Sequence, residues 1–193
     1  MRRHVEKVLA GTSLPLFLYN MPSLVKTPIA LDLLRWALEQ PGIVGFKDSG
    51  GDMGYFHKAL QATRARAGFT VYIGPEELLG DAVLFGAHGG VSGGAQVFPR
   101  LYVELCKAAE RGDMPRVRDL NDVVQVVSRE IYGTSGYAAS VIRGIKTALR
   151  ARGVCDDVMS EPFGQGNDVE RARIAGVVAT VDAAVERVLG VGR

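Results

Sequence analysis

The sequence predicts an α/β fold, and three observations carry that expectation. Short apolar runs recur through the first half of the chain. Amphipathic helical patterns separate them. Beyond about residue 112 only helical patterns remain. The first three runs are near-continuous rather than alternating, as expected where both faces of a parallel strand are covered.

In chain order, the expected strands are Leu14–Tyr19 (LPLFLY), Ile43–Lys47 (IVGFK), Phe69–Ile73 (FTVYI) and His88–Ser92 (HGGVS), the last being the weakest. The first intervening helix is expected to open at Thr27-Pro28, an N-cap threonine followed by proline at the first helical position. Ile29, Leu33, Leu34, Ala37 and Leu38 then form one apolar stripe, with Asp32, Arg35 and Glu39 on the other side, and Pro41-Gly42 ends it. A second helix is expected over about Asp52–Arg66. A third opens at Pro75-Glu76-Glu77, where acidic side chains suit the helix dipole. A fourth runs from Pro99 to about Gly112, and tail helices follow at Pro115–Tyr132, Tyr137–Arg152 and Asp168–Leu189. The spacing of the strands matches the βα repeat of a TIM barrel. A doubly wound sheet alternates in the same way, but no G-x-G-x-x-G follows the first strand. The expected division is a partial β/α barrel over 1–112 and a helical region over 113–193.

Composition excludes several function classes. The chain has 193 residues, 47% of them hydrophobic and 23% charged, with a formal net charge of +2. No clustered excess of Lys and Arg points to nucleic acid or a membrane surface. The basic N-terminus (MRRHVEKVLAG) is not followed by an apolar signal segment. The longest uncharged stretch, Ala82–Pro99, holds five glycines and a histidine and reads as helix end, loop and strand rather than a membrane span. Two cysteines, Cys106 and Cys155, imply no disulfide framework, and a reducing cytoplasm is the expected setting. His4, His57 and His88 share no metal-ligand spacing, so no metal site is expected. There is no G-x-S-x-G elbow for a serine hydrolase.

Active groups of parallel α/β folds gather at the carboxyl ends of the strands. The first strand ends in Tyr19-Asn20, the second in Lys47-Asp48-Ser49-Gly50, the third in Gly74-Pro75-Glu76 and the fourth in Ser92-Gly93-Gly94. Lys47 closes an otherwise apolar strand. An ammonium taken partly out of water is disfavoured relative to the neutral amine, and the neutral amine is the form that attacks a ketone carbon to make an imine. The alternative is a strand-end lysine with its head in solvent. Tyr19 ends the neighbouring strand, where a phenol can relay protons or simply pack its ring. The glycines of Gly89–Gly94 allow close backbone approach to a ligand, a tight turn, or a phosphate nest without the Walker pattern.

Together these motifs resemble the family of Schiff-base pyruvate aldolases that holds dihydrodipicolinate synthase and N-acetylneuraminate lyase. Leu18-Tyr19-Asn20-Met21-Pro22 resembles its Y-N-x-P motif. Gly45-Phe46-Lys47-Asp48-Ser49 resembles G-x-K-[DE]-[SA], 28 residues after Tyr19. Gly86-Ala87-His88-Gly89-Gly90-Val91-Ser92 resembles a G-x-x-G-x-[IV]-S run, with Phe98-Pro99 following in place. The resemblance covers nearly the whole chain. It implies a partial TIM (β/α)8 barrel, about strands 5–8, with a C-terminal helical extension. It implies a lyase in which Lys47 forms the imine with pyruvate or another 2-oxo acid, Tyr19 relays protons, and Val91 and Gly74 border the bound substrate. It implies no metal or organic cofactor, and a homo-oligomer as the working form.

Two departures qualify that expectation. Leu24 stands where a dihydrodipicolinate synthase carries an arginine for the aldehyde's carboxylate, and an apolar side chain cannot make that bidentate contact. That argues against a true dihydrodipicolinate synthase and for a sugar-acid or aromatic 2-oxo-acid aldolase. The family's Gly-Thr-Thr-Gly-Glu loop is absent: no two threonines are adjacent, and Tyr132-Gly133-Thr134-Ser135-Gly136 lies in the tail. Four strands cannot close a barrel. The alternative function is therefore a truncated, non-catalytic relative or accessory subunit.

Overall fold

The computed structural model describes residues 1–133 and 139–190. The chain divides into two compact units, Met1–Val91 and Ser92–Arg193.

The first unit is a parallel sheet in the order β1-β2-β3, formed by β1 (Leu16–Asn20), β2 (Ile43–Asp48) and β3 (Thr70–Ile73). Helices α1 (Arg2–Ala10), α2 (Pro22–Val25), α3 (Leu31–Leu38), α4 (Met53–Thr63) and α5 (Leu79–Leu84) precede, separate and follow the strands along the chain. The register places Leu18 beside Phe46 and Phe46 beside Val71, and all three side chains are buried. The next rung reads Tyr19–Lys47–Tyr72. Its three side chains belong to the other, less covered face, because successive residues of a strand alternate sides. Tyr19 is 49% exposed and Phe17, two residues before it, 43%. The Phe17 ring lies over Gly45, where a Cβ would meet it at 2.2 Å, and stacks on Tyr72 with ring centroids 5.7 Å apart. The covered face carries the core, with Phe46, Phe56, Leu34 and Ala37 fully buried.

Two expectations are corrected here. The fourth strand reduces to a single bridge between Ile73 and Gly90. Its backbone does run beside β3, with His88 N–H on Val71 O (2.9 Å) and Val91 N–H on Ile73 O (2.9 Å), but paired glycines, Gly89 at φ +139°, leave it too irregular for a strand. The helix expected from Thr27-Pro28 begins instead at Leu31, with Ala30 as its N-cap. The reason is tertiary: the Ile29 N–H is taken by the Asn20 side chain (2.9 Å) and the Ile29 carbonyl accepts from the Tyr55 hydroxyl (2.7 Å), which holds this segment out of the helix. Asp52 caps α4 as its position suggests, accepting from Tyr55 N–H at 3.0 Å.

The second unit is helical. It contains α6 (Pro99–Glu110), α7 (Met114–Val127) with a π-helical continuation Ser128–Tyr132, α8 (Ala139–Ala151) and α9 (Asp168–Leu189). Helix α6, counted in the barrel part by the sequence reading (1–112), lies in this unit. Leu101, Leu105, Leu120, Val124, Val127, Ile131, Ile174 and Val181 are fully buried and form its core. Asn167 caps α9 by accepting from Glu170 N–H at 2.9 Å, and Gly190 ends it at φ +69°. Asp157 is buried and paired with Arg171 through two hydrogen bonds of 2.8 and 3.2 Å. Residues Thr134, Ser135, Gly136 and Tyr137, named in the sequence reading, lie outside the described residues.

Candidate active site

The four residues singled out by sequence all fall at one end of the sheet. β1 ends in Tyr19-Asn20 and β2 in Lys47-Asp48, and the register sets Tyr19 directly beside Lys47. Gly74 follows β3, its N–H on the Asp48 carbonyl at 2.7 Å. Val91 follows the bridge, is 52% exposed, and has its N–H committed to Ile73 O. Tyr19 and Lys47 are brought into contact; Gly74 and Val91 lie at the same end of the sheet, following β3 and the bridge.

The Lys47 amine sits over the face of the Tyr19 ring, 4.2 Å from its centroid. Such a contact attracts a cation to the ring's negative face. Lys47 itself is half-buried. The Tyr19 hydroxyl accepts from Ser49 Oγ at 3.3 Å and donates to Met21 Sδ at 3.4 Å. The Ser49 hydrogen bond, with further help from Lys47, holds the Tyr19 phenol below the ordinary tyrosine range against the opposing effect of partial burial. The result is a phenol biased toward releasing its proton beside an amine, which is the pairing a proton relay needs.

Beneath this rung lies a polar layer on the covered face. Asn20 Nδ2 donates to Asp48 Oδ1 at 2.6 Å, and Asp48 Oδ1 also accepts from Gly50 N–H at 3.1 Å. Asp48 is fully buried and its Oδ2 has no hydrogen-bond partner. Burial pushes the Asp48 carboxyl above the usual carboxylate range, opposed by the bonds from Asn20 and Gly50. Burial, and then the Asp48 charge, push the nearby Tyr55 phenol up to about 12.

Gly74 has no room for a side chain. A Cβ there would stand 2.0 Å from Ser49 Oγ and 3.1 Å from the Asp48 carbonyl. The sequence reading named Asn20, Asp48 and Ser49 only as strand-end residues and gave them no role. Their signal was adjacency, since each lies within two residues of Tyr19 or Lys47. Tyr72 was missed for a different reason: nothing in an apolar run says which residue shares a rung with a lysine 25 positions earlier. No cluster of three or more metal-ligating side chains occurs among the described residues, and none of their helices is long and apolar enough to cross a membrane.

A family model described as the dihydrodipicolinate synthetase family matches residues 1–181. The 4-hydroxy-tetrahydrodipicolinate synthase of Thiobacillus denitrificans is 35% identical over 130 residues, 67% of this chain and 43% of that protein. Among solved structures, the dihydrodipicolinate synthase of Bacteroides thetaiotaomicron is similar at a TM-score of 0.88 and 39% identity, over 93% of this chain and 60% of that one. A prophage protein of the same family from E. coli, solved in complex with pyruvate, shares the fold at a TM-score of 0.83 and 22% identity, covering 94% of this chain and 60% of that one. The chain spans about half the length of the curated relatives it matches.

Proposed function

This chain belongs to the dihydrodipicolinate synthetase family, and on that premise we propose that it is a Schiff-base lyase acting on pyruvate or a related 2-oxo acid through an imine on Lys47. The observation that carries the reading is the Lys47 amine held 4.2 Å from the centroid of the Tyr19 ring at the carboxyl end of the sheet, with the phenol's proton affinity lowered by Ser49. The pyruvate complex of the E. coli family member supports the substrate class.

The steps use these side chains. The neutral Lys47 amine adds to the keto carbon, and the carbinolamine oxygen leaves as water, taking a proton relayed through Tyr19. The imine nitrogen keeps one proton and becomes an electron sink. The adjacent carbon then loses a proton to Tyr19, giving an enamine, or its C–C bond breaks with the electron pair moving to the imine. Gly74 keeps the mouth open beside Ser49, and Val91 borders the 2-oxo acid. For the second substrate, Leu24 in α2 is 69% exposed and apolar, which supports a partner lacking a carboxylate at that point rather than the substrate of a true dihydrodipicolinate synthase. A homo-oligomer is the proposed working form. Cys106 and Cys155 are both free thiols, which supports a cytoplasmic setting.

One observation favours a second reading, a non-catalytic relative that works with a partner: Phe17 and Tyr19 lie substantially exposed on the sheet face that carries the site. Exchange of the pyruvate methyl protons in D2O, followed by NMR, separates the two. The lyase reading expects exchange above buffer that Lys47→Ala abolishes and Tyr19→Phe slows. Folded protein that gives no exchange supports the second reading.

A further inference from the structure

Two polar side chains at this site are more deeply buried than either reactive residue and have no part in the steps above. Asn20 is 3% exposed and Asp48 is fully buried. Each directly follows a reactive residue in the chain, Asn20 after Tyr19 and Asp48 after Lys47, and the two are opposite each other in the register. Their bonds converge. Asn20 Nδ2 reaches Asp48 Oδ1 (2.6 Å), Asn20 Oδ1 takes the Ile29 N–H (2.9 Å), and Asp48 Oδ1 takes the Gly50 N–H (3.1 Å). Their backbones continue the pattern: the Asn20 carbonyl accepts from Ser49 N–H (2.8 Å) and the Asp48 carbonyl from Gly74 N–H (2.7 Å). The ends of all three strands are thereby joined at two residues.

Stability does not explain this pair. Two residues earlier on each strand, on the same face, the sheet pairs Leu18 with Phe46, and buried polar groups are at best marginal against apolar ones of similar size. The Asp48 Oδ2 is left buried without a partner, which costs further. What the pair does supply is direction. Side chains at 20 and 48 fix the backbone at the last rung, and the backbone there sets where Tyr19 and Lys47 point on the other face.

We propose that Asn20 and Asp48 form a clasp whose role is to position Tyr19 against Lys47, making both positioning residues rather than catalytic ones. Its catalytic consequence rests on the imine reading given above. Its geometric consequence does not.

The test uses the full chain and two variants, Asn20→Leu and Asp48→Asn, with folding checked by circular dichroism. Asn20→Leu removes both side-chain bonds. Asp48→Asn removes the charge but keeps an oxygen able to accept from Asn20 and Gly50. The first readout needs no substrate: alkaline titration of the Tyr19 phenol by ultraviolet absorbance, isolated by subtracting the same protein carrying Tyr19→Phe. In Asn20→Leu the phenol moves up toward the ordinary tyrosine range, because Ser49 and Lys47 no longer meet it, and in Asp48→Asn it stays low. The second readout is borohydride trapping with pyruvate. Asn20→Leu lowers the maximal trapping rate by roughly ten- to a hundredfold, the scale of a misplacement of about 1 Å. Its half-saturating pyruvate stays within about twofold, and Asp48→Asn recovers most of the rate. A folded Asn20→Leu with unchanged phenol and unchanged trapping overturns the proposal. If Asn20→Leu does not fold, Asp48→Asn decides: a folded Asp48→Asn with a shifted phenol overturns it, and a retained low phenol upholds it. Failure of the unaltered chain to trap pyruvate counts against the imine reading, and the phenol titration still judges the clasp.

Discussion

Replacing Gly74 with alanine separates a packing effect from a chemical one. The new Cβ would stand 2.0 Å from Ser49 Oγ, 2.9 Å from Ser49 Cβ and 3.1 Å from the Asp48 carbonyl. Ordinary contact begins at 3.4 Å, so the Ser49 hydroxyl must retreat by about 1.4 Å. Its bond to the Tyr19 hydroxyl is already long at 3.3 Å and cannot survive that movement. Overpacking of this kind costs about 1–3 kcal/mol, because the Asp48 carbonyl is backbone and yields little. The chemical effect follows from the lost bond: Ser49 is the largest influence holding the Tyr19 phenol low, so the phenol moves up. Ser49→Ala makes the same phenol shift with little loss of stability. The double variant Ser49→Ala/Gly74→Ala recovers part of the melting temperature and none of the phenol shift. Thermal melts and the subtracted phenol titration read the two effects apart. A Gly74→Ala protein that melts like the parent with its Tyr19 titration unmoved refutes the placement of Gly74 against Ser49.

Two further outcomes are expected. The Arg171 guanidinium beside Asp157, aided by Arg150, holds that carboxyl below the usual carboxylate range; a lowered folded value means the pair's stability is present above the ordinary carboxylate range and is lost as pH falls through the folded value. Melting temperature against pH shows that acid limb, and Arg171→Met lowers the melting temperature at neutral pH and flattens the limb; an unchanged limb contradicts the pairing. Phe17 and Tyr19, half-exposed on a sheet face, and the edge of β1 favour self-association in solution; light scattering after size exclusion expects species above one chain, and a monodisperse, cooperatively melting monomer goes against it.

The parts legible in the sequence were those governed by local chemistry. β2 was legible because a continuous apolar run announces a strand covered on both faces, and α9 has the bounds expected of it, Asp168–Leu189. The position of Lys47 near the end of β2 was legible for the same reason: a charge closing the apolar run Ile43–Phe46 is conspicuous. What failed was set by distant partners. Thr27-Pro28 has the local form of a helix start, yet Asn20 and Tyr55 hold Ile29 in an extended segment. The clasp was illegible because Asn20 and Asp48 become partners only when β1 and β2 pair in one register, and a register is not a local property. The contact of Ser49 with Tyr19 is hidden in the same way.

The most direct test of the central claim is borohydride reduction of the protein with pyruvate, followed by mass spectrometry of its peptides. The account predicts one reduced pyruvate adduct per chain, on the peptide carrying Lys47, absent from Lys47→Ala and diminished in Tyr19→Phe. Folded protein that gives no adduct, or an adduct on another lysine that survives Lys47→Ala, would contradict it.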